Sequence, residues 1–98
     1  MDTVPLGDSD IRVSALCYGT DLIGSRVPQA DAFALFGLFR EHGGTFIDTA
    51  NFYAAWLDGY QGGESETTIG HWIKERGNRD DVVIATKLGF DYPGSEEG

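Results

Sequence analysis

The sequence predicts an α/β fold built on a parallel sheet, and three observations carry that expectation. Short apolar runs that suit strands alternate along the chain with segments of helical periodicity, the order a parallel α/β sheet requires. The runs end on polar clusters: Gly19-Thr20-Asp21, Asp48 to Tyr53, and Thr86-Lys87. In parallel sheets ligands and chemistry gather at the C-terminal ends of strands, so the three clusters are expected to converge on one rim.

Each element has its own signal. Val4-Pro5-Leu6 and Ile11-Arg12-Val13 flank Gly7-Asp8-Ser9-Asp10, which reads as two short strands around a polar turn. Ala15-Leu16-Cys17-Tyr18, stopped by Gly19-Thr20, suits a strand buried on both faces. From Gln29 to His42 the pattern is helical, with Phe33, Leu35, Phe36 and Phe39 at helical spacings, and His42-Gly43-Gly44 closes it. The three phenylalanines read as core contacts. Thr45-Phe46-Ile47 is the next strand and delivers Asp48 at its end. A loop rich in glycine and aromatic residues follows, from Thr49 to about Glu64.

Ser65 to about Arg76 reads as a second helix, with Ser65 as its cap, Glu66 in the first turn, and Ile69, Trp72 and Ile73 on one face. Gly77-Asn78 ends it. Val82-Val83-Ile84-Ala85-Thr86 is the clearest strand and leads into Lys87. Phe90 to Gly98 carries turn residues and three acids without periodicity. There are no internal repeats, low-complexity tracts or inter-domain linkers.

Composition narrows the function classes. Seven basic against 16 acidic side chains in 98 residues leave a formal charge of −9. That balance argues against a phosphate-binding surface, because nucleic-acid binders draw affinity from clustered Lys and Arg. The hydrophobic fraction of 41% is too high for a disordered chain. No apolar run approaches the roughly 20 residues that span a bilayer, and with no basic start followed by an apolar run at residue 1, no secretory signal is expected. One cysteine, Cys17, cannot form an internal disulfide, and a cytoplasmic location is expected. Cys17 reads as a small buried side chain, since no basic partner is evident nearby. No Cys or His cluster has metal-ligand spacing, so no metal site is expected. Gly62 and Gly63 invite a phosphate-loop reading, which fails because no GxxxxGK[ST] pattern follows and the flanking charge is acidic.

Three residues at the predicted rim are the right types to work together. A neutral tyrosine titrates near pKa 10 and is a poor acid at neutral pH unaided. A nearby ammonium favours the phenolate, and a carboxylate beside the ammonium holds it in place. Tyr53, Lys87 and Asp48 supply that set, which would donate a proton to an oxygen gaining negative charge, as in carbonyl reduction. From the residues alone, Asp48 equally suits a turn brace, Lys87 a solvated charge and Tyr53 a packed rim aromatic. Gly19-Thr20 suits a simple turn as well as a cofactor contact. Trp56, Leu57 and Tyr60 either line a substrate pocket or pack on one another to hold the loop.

Across nearly all 98 residues the chain resembles the N-terminal part of an aldo-keto reductase. The matching stretches are Leu6-Gly7 with Val13-Ser14, Tyr18-Gly19-Thr20, and Gly43-Gly44-Thr45-Phe46-Ile47-Asp48-Thr49-Ala50. They continue through Phe52-Tyr53, Glu64-Ser65-Glu66 with Gly70, and Arg79 to Lys87. The resemblance implies the N-terminal portion of a (β/α)8 TIM barrel: a closing hairpin plus about three strands and two helices. It implies NADPH-dependent reduction of aldehydes or ketones, with Asp48, Tyr53 and Lys87 catalytic. Gly19, Thr20 and Asp48 would lie against the nicotinamide end of the cofactor, and Trp56 against a small carbonyl substrate.

The family also carries a catalytic histidine after the fourth barrel strand, and this sequence stops before it. His42, at a helix end, and His71, within the second helix, do not take its place. About 250 residues make a typical barrel, so residues 1–98 are expected to be a partial domain and inactive alone. Such a piece would leave free strand edges and an exposed inner face. The alternative expectation is a noncatalytic remnant that pairs with a complementary barrel fragment. A complete small α/β binding domain is a third reading, which the motif series disfavours.

Overall fold

The computed structural model describes residues 1–88. Strand β1 (Thr3–Pro5) pairs antiparallel with β2 (Arg12–Ser14), with Val4 opposite Val13. Their polar turn is closed by Leu6 N–H donating to the Ile11 carbonyl at 2.8 Å and Ser9 Oγ to the Leu6 carbonyl at 2.6 Å. Ser14, at the end of β2, is buried and fastens this hairpin to the main sheet. Its N–H donates to Thr45 Oγ1 at 2.8 Å, and its Oγ accepts from Thr45 N–H at 3.0 Å.

The main sheet is parallel in the order β3 (Cys17–Gly19), β4 (Phe46–Asp48), β5 (Val83–Ala85). Tyr18, Ile47 and Ile84 stand side by side in its register, and so do Gly19, Asp48 and Ala85. Helix α1 (Gln29–Glu41) links β3 to β4, and α2 (Glu64–Arg76) links β4 to β5 through a short 3-10 turn at Arg79–Asp81. The hairpin, three strands and two helices match the expected order.

Between the helices and the outer face of the sheet lies one core: Ile23, Ala32, Phe36, Ile47, Ile69, Trp72 and Val82. Phe36 and Trp72 meet with ring centroids 4.9 Å apart, and Tyr18 sets an edge against Phe36 at 5.5 Å. Burying a side chain such as Phe36 contributes about 1.5–3 kcal/mol. Phe33 and Phe39 pack half-buried against this core, whereas Leu35 turns outward and is exposed.

Two expectations are corrected here. Cys17 is exposed, not buried, and Leu16 before it is 65% exposed. Among the described residues the helices cover one face of the sheet, so Cys17 and Gly19, alternate residues of β3, point to the open inner face. Ser65 does not cap α2. The cap position is Gly63, and no side chain caps the helix there. Instead the Glu64 carboxylate accepts from the N–H groups of Gln61 at 3.1 Å and Gly62 at 2.8 Å. The other ends follow expectation: His42 closes α1 with Nδ1 3.0 Å from the Leu38 carbonyl, and Gly77 closes α2 in the left-handed conformation. His71 lies exposed on α2, its Nδ1 2.9 Å from Gln29 Oε1.

The segment after β3 folds back on itself, with Gly24 N–H donating to the Val27 carbonyl at 2.8 Å. Gly24 adopts φ +83° where this lobe presses on the first turn of α2. A methyl group there would meet Thr68 Oγ1 and the Glu64 carbonyl oxygen. No helix among the described residues is long and apolar enough to cross a membrane. The sequence pattern at Phe90 to Gly98 lies outside the described residues.

Candidate active site

The C-terminal ends of β4 and β5 are zipped together beyond their formal limits. Thr49 N–H donates to the Ala85 carbonyl at 2.7 Å and Asn51 N–H to the Lys87 carbonyl at 3.3 Å. That pairing delivers Asp48 and Lys87 to the same rim, although 39 positions separate them in the chain. Tyr53 reaches the rim from the loop of turns that follows Asp48. This loop bends sharply after it: Ala54 is fully buried at φ +78°, a left-handed conformation that costs a residue with a Cβ about 1–2 kcal/mol.

The three side chains form one hydrogen-bonded cluster. Lys87 Nζ donates to Asp48 Oδ1 at 2.8 Å, Asp48 Oδ2 at 2.9 Å, the Thr49 carbonyl at 2.9 Å and Tyr53 Oη at 2.9 Å. Tyr53 Oη in turn donates to Asp48 Oδ2 at 3.1 Å. The ammonium therefore sits against the phenol oxygen and the carboxylate at once. The Lys87 side chain is 43% exposed; its partial desolvation pulls the pKa down, but the hydrogen bonds and charges of Asp48 and Tyr53 outweigh it and hold the group above its ordinary value. Cys17 shares this inner face. Although the residue is exposed, partial desolvation of its sulfur and the Asp48 charge push the thiol up, against the opposing pull of Lys87.

Phe52, Tyr53 and Trp56 pack as a ring cluster, with Tyr53 and Trp56 centroids 5.8 Å apart and Phe52 and Trp56 6.0 Å apart. Trp56 is 53% exposed beside the Tyr53 ring, at the rim. Tyr60 goes elsewhere, its hydroxyl donating to the Ser25 carbonyl at 3.3 Å. Gly19 is exposed and faces Asp48 across the ladder, with open space where a side chain would stand.

Thr20 departs from expectation. It has no exposed surface, and its hydroxyl donates to the Asp48 carbonyl at 2.7 Å, so it supports Asp48 from behind rather than facing a cofactor. Sequence alone marks neither Ser65 nor Thr49 as a site residue, yet both hydroxyls are buried directly behind the rim. Only a serine or threonine falling next to a strand-end cluster hints at this, and such residues are common. The loop at Gly62 and Gly63 borders an open cleft of about 390 Å³, but Glu64 already takes the Gln61 and Gly62 N–H groups. Those two donors are not free for a phosphate.

Comparison with known proteins bears on this arrangement. The model of the aldo/keto reductase family matches residues 15–98. The chain belongs to the aldo/keto reductase family. It is 47% identical over 89 residues to a norsolorinic acid reductase of Emericella nidulans, covering 84% of this chain and 21% of that one. The chain thus spans about a fifth of the length of that curated relative. It is also 37% identical over 87 residues to an uncharacterized 11.2 kDa protein of Pseudescherichia vulneris, covering 88% of this chain and 84% of the other. Among solved structures, an aldo-keto reductase from Bacillus halodurans in its holo form superposes with TM-score 0.77 at 31% identity, covering all of this chain and 29% of that one. The aldo-keto reductase neighbours are TIM barrels, and this chain carries the hairpin, parallel strands and helices of part of that α/β fold.

Proposed function

We propose that residues 1–98 form a partial aldo-keto reductase domain that supplies the proton-transfer side of an NADPH-dependent carbonyl reductase, converting aldehydes or ketones to alcohols. The observation that carries this reading is the Lys87 ammonium bonded at once to Tyr53 Oη and both Asp48 carboxylate oxygens. In the present arrangement Tyr53 donates its proton to Asp48. An arriving carbonyl oxygen replaces Asp48 as the acceptor of that proton. As charge develops on the oxygen, Tyr53 transfers its proton, and Lys87 holds the phenolate left behind. Asp48 keeps Lys87 in place throughout.

The rim suits a nicotinamide cofactor. Exposed Gly19 leaves the backbone open to a flat ring, and the Asp48 carboxylate beside it can accept from a ribose hydroxyl. When bound, NADPH supplies the hydride that goes to the carbonyl carbon, which balances the proton from Tyr53. Trp56, beside Tyr53 and half exposed, is proposed to contact the substrate. The partner is a small molecule, not nucleic acid or membrane, and the free, exposed Cys17 suits a reducing cytoplasm.

The decisive experiment is Tyr53→Phe in the full-length reductase that carries this segment. Turnover should fall by roughly 10²–10⁴-fold, the contribution of a positioned general acid, while NADPH affinity stays within a few-fold. Unchanged turnover removes Tyr53 from the proposed role.

A second reading has its own observation. Among the described residues β3 and β5 each pair on one side only, and Leu16 and Leu88 are 65% and 84% exposed. Such edges and apolar surface suit further barrel strands from a complementary segment. On this reading the 98 residues by themselves are inactive and act by pairing.

A further inference from the structure

Behind the rim, three fully buried hydroxyls touch in series. Thr49 Oγ1 lies 2.7 Å from Ser65 Oγ, and Ser65 Oγ lies 2.6 Å from Thr20 Oγ1. Thr20 Oγ1 lies 2.7 Å from the Asp48 carbonyl oxygen. Each hydroxyl owns a single proton, and that fixes the direction of every bond. A carbonyl can only accept, so the Thr20 proton points to Asp48. Thr20 must then accept from Ser65, and Ser65 must accept from Thr49. The result is a one-way chain from Thr49 through Ser65 and Thr20 to Asp48, in a dry setting where successive hydrogen bonds polarise one another.

The two ends of this chain sit on the adjacent residues Asp48 and Thr49, which also carry part of the site. The Asp48 carbonyl accepts from Thr20 N–H at 3.2 Å as well as from Thr20 Oγ1. The Thr49 carbonyl accepts from Lys87 Nζ at 2.9 Å. The middle member, Ser65, comes from the first turn of α2 and is tied to the site through its hydroxyl bonds to Thr20 and Thr49. We infer that Ser65 is a positioning residue for the Asp48–Lys87–Tyr53 cluster, holding the Asp48–Thr49 unit in register through Thr20 and Thr49. Its bearing on turnover rests on the function proposed above; its bearing on Lys87 does not.

Removing the Ser65 hydroxyl leaves the Thr49 donor and one Thr20 acceptor site without partners in a buried space, so the strand end they grip shifts or loosens. The groups facing Lys87 Nζ are Asp48, Tyr53 and the Thr49 carbonyl, with the Cys17 thiol also within electrostatic reach. All three of its hydrogen-bond partners lie within five residues of Thr49.

The test uses 15N-labelled full chain and two variants, Ser65→Ala and Thr20→Val, with Thr68→Ala as control. Thr68 is a buried hydroxyl on the same helix, and among the described residues it bonds to the Glu64 carbonyl of its own turn. The readout is the Lys87 Nζ 15N resonance at neutral pH, whose chemical shift is set by Asp48, Tyr53 and the Thr49 carbonyl, the acceptors that share its three protons. Wild type and Thr68→Ala should keep this shifted signal, while Ser65→Ala and Thr20→Val should lose it, their Lys87 resonance moving to the position of an unbonded lysine. In the full-length reductase the same two variants should lower kcat on the order of 10–100-fold, the scale expected for sub-ångström to 1 Å misplacement, with KM little changed.

A retained Lys87 signal in both folded variants overturns the inference. If Ser65→Ala does not fold, Thr20→Val decides. If neither folds while Thr68→Ala does, the hydroxyl chain is purely structural and the inference also fails. Loss of the Lys87 signal in an enzyme that reduces no carbonyl would uphold the positioning role and reject the reductase reading.

Discussion

Gly24→Ala tests whether the lobe after β3 fixes the start of α2. At φ +83° an alanine incurs the left-handed penalty of about 1–2 kcal/mol. Its Cβ would also lie 2.5 Å from the Glu64 carbonyl oxygen and 2.9 Å from the Glu64 carbonyl carbon, both backbone atoms of α2. Ordinary contact begins near 3.4 Å, so the helix start or the lobe must move by about 1 Å. Overpacking of this kind adds roughly 1–3 kcal/mol, for a total of about 2–5 kcal/mol. In a domain of this size each kcal/mol lowers Tm by roughly 4–8 °C, so a fall of at least about 8 °C is expected.

Gly59→Ala supplies the comparison. Gly59 has φ +87° with nothing within 4 Å of its would-be Cβ, so it carries the conformational penalty alone. Urea denaturation of both variants, read by fluorescence, gives two midpoints whose difference isolates the contact with α2. Equal midpoints would refute the claim that the Gly24 lobe is seated on the helix start. Because Ser65 follows Glu64 directly, Gly24→Ala should also move the Lys87 Nζ chemical shift toward that of an unbonded lysine, whereas Gly59→Ala should not.

Two further outcomes are expected. The Cys17 thiol, raised above its ordinary 9.0 by burial and the Asp48 charge, is less ionised at pH 8.5 than a free cysteine, so iodoacetamide should alkylate it more slowly despite its exposure. Asp48→Asn removes a raising charge and should speed that reaction; a slower reaction in the variant would contradict the shared inner face. Titrating NADPH into the isolated 98 residues should produce no saturable quenching of Trp56 or Trp72 emission, and saturable quenching would overturn the expectation that the segment alone does not bind NADPH tightly.

Much of this architecture is legible along the chain because its causes are local. Helical spacing marks α1 and α2, Gly77 marks a helix end, and apolar runs mark β4 and β5. Asp48, Tyr53 and Lys87 could be grouped because parallel topology puts strand ends on one rim. What the chain could not reveal is which face of each strand stays covered. The Ala15–Tyr18 run looks fully buried, yet Cys17 is exposed, since only tertiary packing shows that, among the described residues, the helices protect the other side of the sheet.

The roles of Thr20 and Ser65 show the same division. A serine at a helix start reads as a cap, and a threonine after a strand reads as a ligand contact, because local patterns describe what a side chain can bond nearby. Their actual partners stand 45 positions apart in sequence for Thr20 and Ser65, and 16 apart for Thr49 and Ser65. Local periodicity determined the order of elements and the chemistry available at the rim. The packing of α2 against the strand ends decided which hydroxyls are buried together, and hence what holds Asp48, because proton direction and burial depend on neighbours that only the folded chain brings into contact.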